Sequence, residues 1–461
     1  MLLPVPPDEH ELRKLAEAHG GPRLLHFITN GKAARECMTS SGVVRVATTG
    51  VDIYHEIYSI SFGSEPPTPS GTSAADAATM RDNPPPAAST SAAAGSGGVD
   101  GGVDGGRGVD GRRGVDGGVD GRRGVNGVDG GRGVDGVERV VMIMGFAAAH
   151  DCWLAAIHQL AEAAPIVERW GMAARFEICI FDNRGIGRSS MPEDKEQYTT
   201  PLMAQDTLGL MTELGWDRAH IVGFSMGGMI ATRLAVIAPH AVCSLTLHSV
   251  TGGGWQILPL QWRSIRMYFA ATGDQSTRGR AYADVKFHFS RRTRRMVLGP
   301  HKLGALLQAE YVRGVEANGR QAPEGEAGHF NACWGHEVTD KDAKAIQTGG
   351  YPVKLVHGEH DLVALPKYAE ALAKRLGGEF VVLDGAHFTP RENALQVAGE
   401  LLKTILFSTK DLHTARVVDV CAFAAEFDLP LLPVDGGRSK AKQSKVKAKK
   451  KGGLLGGCCG V

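Results

Sequence analysis

The stretch Ala219-His220-Ile221-Val222-Gly223-Phe224-Ser225-Met226-Gly227 decides the fold of this chain. An apolar run typical of a strand ends at Val222, and a run typical of a helix begins at Met226. Between them Ser225 stands in a Gly-x-Ser-x-Gly motif, whose glycines permit a sharp turn that larger side chains would obstruct. The helix N-terminus behind the serine would stabilise negative charge that develops there. The sequence therefore predicts that Ser225 is a catalytic nucleophile.

Composition narrows the possible partners and the compartment. The 461 residues include 51 Lys and Arg against 50 Asp and Glu, and a net charge of +1 gives no reason to expect a nucleic acid partner. None of the 8 cysteines forms a Cys-x-x-Cys pair, and the N-terminus has neither a basic region nor a long apolar stretch. We expect a cytoplasmic protein with reduced cysteines.

Eight apolar or alternating runs predict strands, over residues 43–47, 52–58, 139–144, 176–181, 220–222, 243–248, 352–357 and 380–383. Most of them alternate with helical runs, which favours an α/β fold: an eight-stranded, mostly parallel sheet covered by helices on both faces. The first two strands are joined tightly, so they can pair in antiparallel fashion.

The remaining segments divide the chain further. The predicted core covers residues 43–62, 138–250 and 350–408, after an N-terminal extension (1–42) with a short helix over 9–19. A Gly/Pro-rich insertion (63–137) interrupts the core, and its Gly-Val-Asp repeat lacks the proline of a collagen helix, so we expect disorder. Residues 251–349 are rich in aromatic residues and helix formers, and we interpret them as a helical cap over the active site.

A serine nucleophile requires a base, and the base requires an orienting acid. Asp361 and His387 follow predicted strands, lie on the same sheet edge as Ser225, and complete the order Ser, Asp, His. Glu359 and Asp384 are alternative acids. We interpret His357 and His360 as packing or loop residues rather than as the base. A metal site formed by His357, Glu359 and His360 is a further alternative.

Two further sets of residues complete the predicted site. The N–H groups of Met226 and Phe146 are expected to form the oxyanion hole, since one follows the nucleophile and the other lies in the loop after the third strand. The cap aromatics Trp255 and Trp262 are candidate substrate-binding residues. No cofactor and no metal are expected.

These motifs resemble the α/β-hydrolase superfamily, in its capped, single-domain branch. The resemblance rests on the Ser225 motif, on Asp182-Asn183-Arg184-Gly185-Ile186-Gly187-Arg188-Ser189, on Gly358-x-x-Asp361 and on Gly385-x-His387. Ser225, in place of aspartate, argues against the family's epoxide hydrolases and haloalkane dehalogenases. Many members have His-Gly where this chain has Met144-Gly145. The loop at residues 182–189 is expected to brace the site rather than to take part in the chemistry.

The resemblance implies a serine hydrolase that cleaves a carboxylic ester, thioester or lactone with an apolar, lipid-like moiety. A related alternative is an amide hydrolase similar to proline iminopeptidase. A non-catalytic small-molecule receptor or scaffold on the same fold is the alternative from another functional class. Fluorophosphonate labelling of Ser225 distinguishes an enzyme from a receptor.

The C-terminal extension (409–461) ends in a basic tail. Residues 438–451 carry eight positive charges and no acidic residue, and the chain ends in Cys458-Cys459-Gly460-Val461. The main interpretation is a solvated basic tail. The alternatives are attachment to a membrane surface, through the basic residues and lipidation of Cys458 or Cys459, and a nuclear import signal.

Overall fold

The computed structural model describes Lys14 and residues 32–62, 136–169, 174–258 and 276–407. Within these ranges eight strands form one sheet: β1 (Met38–Val46), β2 (Val51–Phe62), β3 (Val137–Ile143), β4 (Ala174–Phe181), β5 (Ala219–Phe224), β6 (Val242–His248), β7 (Val353–Gly358) and β8 (Glu379–Leu383). Their order in the sheet is β1-β2-β4-β3-β5-β6-β7-β8. Strand β2 runs antiparallel to both of its neighbours, whereas the other pairs are parallel. The mostly parallel, eight-stranded sheet predicted from the sequence is confirmed.

Helices connect the strands. In the described part of the chain they are α1 (Lys32–Glu36), α2 (Leu154–Glu162), α3 (Ala164–Arg169), α4 (Thr200–Glu213), α5 (Met226–Ile237), α6 (Thr277–His288), α7 (Arg291–Arg295), α8 (Leu303–Asn318), α9 (Pro323–Trp334), α10 (Asp340–Gln347), α11 (Pro366–Leu376), α12 (Thr389–Glu392) and α13 (Ala394–Phe407). Among them is no helix that combines the length and the apolar character needed to cross a bilayer.

The core lies on both faces of the sheet, as strand β3 shows. Val141 and Ile143 belong to one hydrophobic cluster, and Val140 and Met142 belong to the other. Successive side chains of a strand point to opposite faces, so the apolar run from Val140 to Ile143 must be covered on both faces of the sheet. Helices α4 and α5 contribute to the first cluster, while α2 and α13 contribute to the second.

Residues 251–349, which the sequence predicts to form the cap, contain helices α6 to α10. Six apolar residues between α6 and α8 form a separate small cluster: Val285, Phe289, Leu298, Leu303, Leu306 and Leu307. Phe388, which follows the candidate base, packs against this cluster. The helices therefore have a core of their own that contacts the loop after β8.

Some predicted boundaries differ from the observed ones. Strand β1 begins at Met38, inside the predicted N-terminal extension, and β3 begins at Val137, which was assigned to the insertion. The predicted helix over 9–19 lies outside the described residues except for Lys14, which is helical. Most of the insertion and the whole basic tail also lie outside them.

The sheet has two edges at which its strands begin or end, and these two edges carry different loops. At one edge the carboxyl ends of the parallel strands β3, β5, β6, β7 and β8 come together, with Ile143 beside Gly223 and Leu383 beside Gly358. At the opposite edge β2 ends and β3 begins, since Phe62 pairs with Ala174 and Val137 with the adjacent Arg175. The chain thus leaves for the insertion, and returns from it, at the edge away from the loops that carry the candidate site.

Candidate active site

Ser225 lies in a strained turn between β5 and α5. Its φ of 53° and ψ of −118° place it outside the regions that most residues adopt. A side chain at Gly227 would overlap the main-chain oxygen of Ile143, and one at Gly223 would overlap that of Gly227. The two glycines therefore allow the strands and the helix to approach closely enough to form the turn.

The structure brings the three predicted catalytic side chains together. The Nε2 atom of His387 lies 3.1 Å from Ser225 Oγ, and its Nδ1 atom lies 2.8 Å from Asp361 Oδ2. An ionised carboxylate only accepts hydrogen bonds, so Nδ1 carries the proton and the Nε2 lone pair faces the serine hydroxyl. Backbone N–H groups of Val363 and Ala364 donate to Asp361 Oδ1 at 2.8 and 2.9 Å and fix the carboxylate.

Burial and neighbouring charges set the protonation states of this group. Burial lowers the pKa of His387 below 6.5, an effect that outweighs the attraction of Asp361. Burial alone would raise the pKa of Asp361, but its interactions with His387 and His357 hold it well below the usual range. At neutral pH the acid is therefore ionised and the imidazole is neutral, as a general base requires.

The alternative acids lie elsewhere. Asp384 pairs with Arg292 and lies 3.3 Å from His360, and Glu359 is exposed. His357 is buried, donates from Nε2 to the Ala364 carbonyl at 2.7 Å, and is 3.2 Å from Asp361 Oδ2. The side chains proposed as a metal site thus lie in different surroundings, as shown by His357, Glu359 and His360. No group of side chains suited to hold a metal ion occurs in the described ranges.

The loop after β3 (residues 144–147, the β3 loop) packs against the serine turn. A Cβ atom at Gly145 would lie 3.1 Å from Ser225 Cβ, so the loop passes close to Ser225. Asn183 Nδ2 donates to the Met144 carbonyl at 2.8 Å. Met226 is the first residue of α5, where N–H groups have no acceptor within the helix. The two residues predicted to form the oxyanion hole therefore belong to segments that meet at Ser225.

The loop at residues 182–189 braces the site. Buried Arg184 forms two 2.6 Å hydrogen bonds to the carboxylate of Asp206 in α4. Asp182 accepts from the N–H of His150 at 2.9 Å and lies 2.7 Å from its Nδ1. These contacts anchor the end of β4 to the helix and to the segment after the β3 loop, in keeping with the structural role that we expected.

A cleft of about 590 Å³ opens beside the β3 loop. The described residues that line it are Phe146, Lys195, Pro323, Glu326, Ala327, Phe330, Asn331 and Trp334. Trp255 does not line it: it is 55% exposed and lies edge-on against Tyr368. Trp262 lies outside the described residues.

Sequence reasoning missed two histidines of the cap. The ring of His288 lies 5.5 Å from that of His387, and interaction with Asp284 raises its pKa to about 9 despite burial. His329 in α9 accepts a hydrogen bond from the N–H of Ala147 in the β3 loop. Neither residue belongs to a motif, so only the fold reveals its place.

A buried carboxylate joins the cap to the loop that carries the base. Glu392 accepts from the N–H of Ala386, next to His387, at 2.7 Å and from the N–H of Ser290 at 3.0 Å. Burial raises the pKa of Glu392, although these hydrogen bonds favour its ionised form. One side chain thus positions both the turn before His387 and the start of α7.

Comparison with known proteins identifies the family. A family model described as alpha/beta hydrolase fold matches residues 138–394, more than half of the chain. The putative non-heme bromoperoxidase BpoC of Mycobacterium tuberculosis (strain H37Rv) is 42% identical over 81 residues, which cover 18% of this chain and 30% of that protein. A fluoroacetate dehalogenase from a Burkholderia species is 35% identical over 94 residues, which cover 20% of this chain and 29% of that protein.

The match to these curated relatives therefore spans less than a third of their length. The solved structure of BpoC superposes with a TM-score of 0.45 and 23% identity, covering 61% of this chain and 95% of that one. An esterase from Thermogutta terrifontis gives 0.44 and 20%, covering 61% and 93%. Given the family model, the sheet order and the serine turn, the chain belongs to the α/β hydrolase fold family.

Proposed function

We propose that the protein is a serine hydrolase that cleaves a carboxylic ester, thioester or lactone with an apolar moiety. The observation that carries this proposal is the hydrogen-bonded chain from Ser225 Oγ through His387 to Asp361, at 3.1 and 2.8 Å. A neutral base with an ionised acid behind it is the arrangement that activates a serine hydroxyl. The hydrolases among the relatives favour a small-molecule substrate.

The reaction follows from this geometry. His387 Nε2 accepts the proton of Ser225 as Oγ attacks the carbonyl carbon, and the N–H groups of Met226 and Phe146 stabilise the oxyanion. The tetrahedral intermediate collapses, the C–O bond to the alcohol breaks, and His387 returns the proton to the leaving oxygen. Water, deprotonated by His387, then attacks the acyl-enzyme and releases the acid and free Ser225.

The cleft beside the β3 loop supports an apolar substrate group. Phe146, Phe330 and Trp334 line it, and Phe146 also supplies one of the proposed oxyanion donors. A carbonyl held at that donor would leave its attached chain close to these aromatic side chains. We retain Trp255 and Trp262 as further candidate contacts for longer substrates.

Labelling by a fluorophosphonate probe and turnover of p-nitrophenyl esters of graded chain length test the proposal. We expect labelling of the full-length protein, and Ser225→Ala should abolish it and lower kcat/KM by at least about 10³-fold. Ser61→Ala, at an exposed position in β2, is the control and should label normally. A folded parent protein that neither labels nor turns over esters would contradict the proposal and favour the receptor alternative.

The ester panel also separates the enzymatic alternatives. Labelling without ester turnover, together with release of N-terminal proline from peptides, would favour the amide hydrolase. We expect instead that kcat/KM increases with acyl chain length, because each methylene transferred from water contributes about 0.8 kcal/mol. A flat profile across the ester panel would contradict an apolar moiety.

The basic tail lies outside the described residues, and we propose attachment to anionic membrane surfaces as the alternative to a solvated tail. Its eight positive charges would attract acidic lipids, and a lipid on Cys458 or Cys459 would add a second anchor. Intact-mass analysis of protein from eukaryotic cells and sedimentation with phosphatidylserine vesicles test this. An unmodified protein that ignores the vesicles would contradict it.

A further inference from the structure

His329 is buried in α9 and contacts three separate parts of the chain. The N–H of Ala147, in the β3 loop, donates to its Nδ1 atom at 3.2 Å. Its Nε2 atom lies 2.8 Å from the main-chain oxygen of Arg184, and Gln321 Nε2 lies 3.2 Å from Nδ1. Since a carbonyl oxygen only accepts, Nε2 must carry the proton and Nδ1 must be the acceptor. The surroundings therefore specify one neutral tautomer.

Burial also keeps this imidazole uncharged. His329 has no exposed surface, and burial lowers its pKa to about 4, against the raising effect of its bond to Arg184. A protonated Nδ1 would be a donor facing another donor, the Ala147 N–H. At neutral pH the ring is therefore uncharged and remains an acceptor for the β3 loop.

The segment that His329 holds is strained. Ala147 has a φ of 53°, a left-handed conformation that is uncommon for residues other than glycine. Such conformations persist where surrounding contacts fix them. The peptide that supplies the Ala147 N–H also contains the Phe146 carbonyl, so the bond to His329 limits rotation of Phe146 itself. The Phe146 ring lies edge-on against the His329 ring, 5.8 Å between centroids.

The surroundings of His329 leave little room for it to move. A side chain at Gly185 would lie 3.2 Å from its Nε2 atom, and one at Gly328 would overlap the ring of Tyr198. The Tyr198 and His329 rings also meet edge-on at 6.1 Å. Gln321 fastens the same region, because its Nε2 donates to the Gly185 carbonyl at 2.7 Å. The α9 helix is thus closely packed against the loop after β4.

We infer that His329 is a positioning residue that orients the Phe146 N–H as an oxyanion donor, an inference that rests on the proposed function. The β3 loop begins with buried Met144, and the acceptor that fixes the Ala147 N–H comes from the cap. The cap therefore takes part in assembling the transition-state contact. The same helix lines the cleft through Phe330 and Trp334, so substrate binding and oxyanion geometry share one element.

Three variants of the full-length enzyme separate this role from simple packing. His329→Phe keeps a ring but removes the acceptor, and should lower kcat by roughly 10-fold or more, below the 10²–10³ typical of losing a donor itself. KM should change by less than about 3-fold, since the oxyanion contact forms in the transition state. His329→Asn places an amide oxygen near the Nδ1 position and should recover most of kcat. His329→Gln reaches the Arg184 carbonyl instead and should recover little.

Each outcome decides the inference. A kcat for His329→Phe within 2-fold of the parent, or a loss confined to KM, would overturn it. If His329→Phe fails to fold, the comparison of Asn with Gln at equal melting temperature remains: Asn above Gln supports the inference, and equality or the reverse order overturns it. An inactive, unlabelled parent protein would overturn the proposed function and this inference together, whereas an active parent with unaffected variants overturns this inference alone.

Discussion

His288 and His387 lie side by side, yet their surroundings favour opposite charge states. Interaction with the Asp284 carboxylate, 3.1 Å from Nδ1, and with its carbonyl raises the pKa of His288 to about 9, against the effect of burial. Burial lowers the pKa of His387, and the charge on His288 lowers it further. At neutral pH a cationic imidazole therefore lies next to the proposed base and opposes its protonation.

Replacing His288 should move the acidic limb of the pH–rate profile. In His288→Gln the positive neighbour is gone, so the pKa of His387 rises and kcat/KM should begin to fall at a higher pH as the solution is acidified. The measurement is kcat/KM for a p-nitrophenyl ester between pH 5 and pH 8. His360→Gln is the control, because His360 is half-exposed and pairs with Asp384, and its limb should coincide with that of the parent. A limb that stays in place, or moves down, in His288→Gln would refute the coupling.

At the scale of single residues, the sequence predicted the site residues that belong to motifs and missed those that do not. Ser225, Asp361 and His387 each follow a strand within a short pattern, so their convergence could be predicted from chain order alone. His329 contacts Ala147 across 182 residues, and nothing in the local sequence of α9 indicates a partner. A hydrogen bond of that kind depends on how the cap is seated, which periodicity does not encode.

The close packing at the turn between β5 and α5 predicts how replacement of a glycine by alanine changes the stability of the protein. Gly227→Ala places a methyl group against the Ile143 carbonyl, a rigid main-chain atom, and should cost several kcal/mol or prevent folding. Gly314→Ala, within α8, meets nothing within 4 Å and should stabilise by up to about 1 kcal/mol because alanine favours helix. Urea denaturation monitored by circular dichroism measures both. Equal stability of the two variants would contradict the close approach at the serine turn.

The strands show where patterns succeed and where they fail. The strands β3, β4 and β6 are largely buried on both faces, and their predicted and observed limits agree within about two residues. After Met38, the first residues of β1 are polar or small and largely exposed, and the pairing is irregular between Met38 and Ser40. An edge strand with one solvated face and a bulge has no continuous alternation, so its start was placed five residues too late.

For the whole molecule, the position of the insertion predicts that it can be removed. Phe62 and Val137 flank the same strand, β4, so their ends lie two strand spacings apart, about 10 Å. Replacing residues 64–135 by eight Gly and Ser residues should therefore preserve the fold. Since this edge lies opposite the candidate site, kcat/KM should stay within about 2-fold of the parent. Ester turnover and the melting temperature are the measurements.

The matched comparison is the same replacement in the Ser225→Ala background, which should melt like the active deletion protein and turn over no ester. A deletion protein that keeps its melting temperature but loses turnover would show that the insertion contributes to the reaction. That result would contradict the prediction that the insertion, which is attached at the opposite edge of the sheet, does not affect the candidate site.

Two of the contacts that join the cap to the rest of the chain bear on how a substrate arrives and how a product leaves. His329 ties α9 to the β3 loop, and Glu392 ties the start of α7 to the turn before His387. An outward movement of the cap would have to break both of these sets of hydrogen bonds, and it would disrupt the candidate site beneath the cap. We therefore expect substrates to enter and products to leave through a permanent opening at the cleft beside Phe146. The width of that opening, rather than the rate of a cap movement, should then select which substrates reach the site.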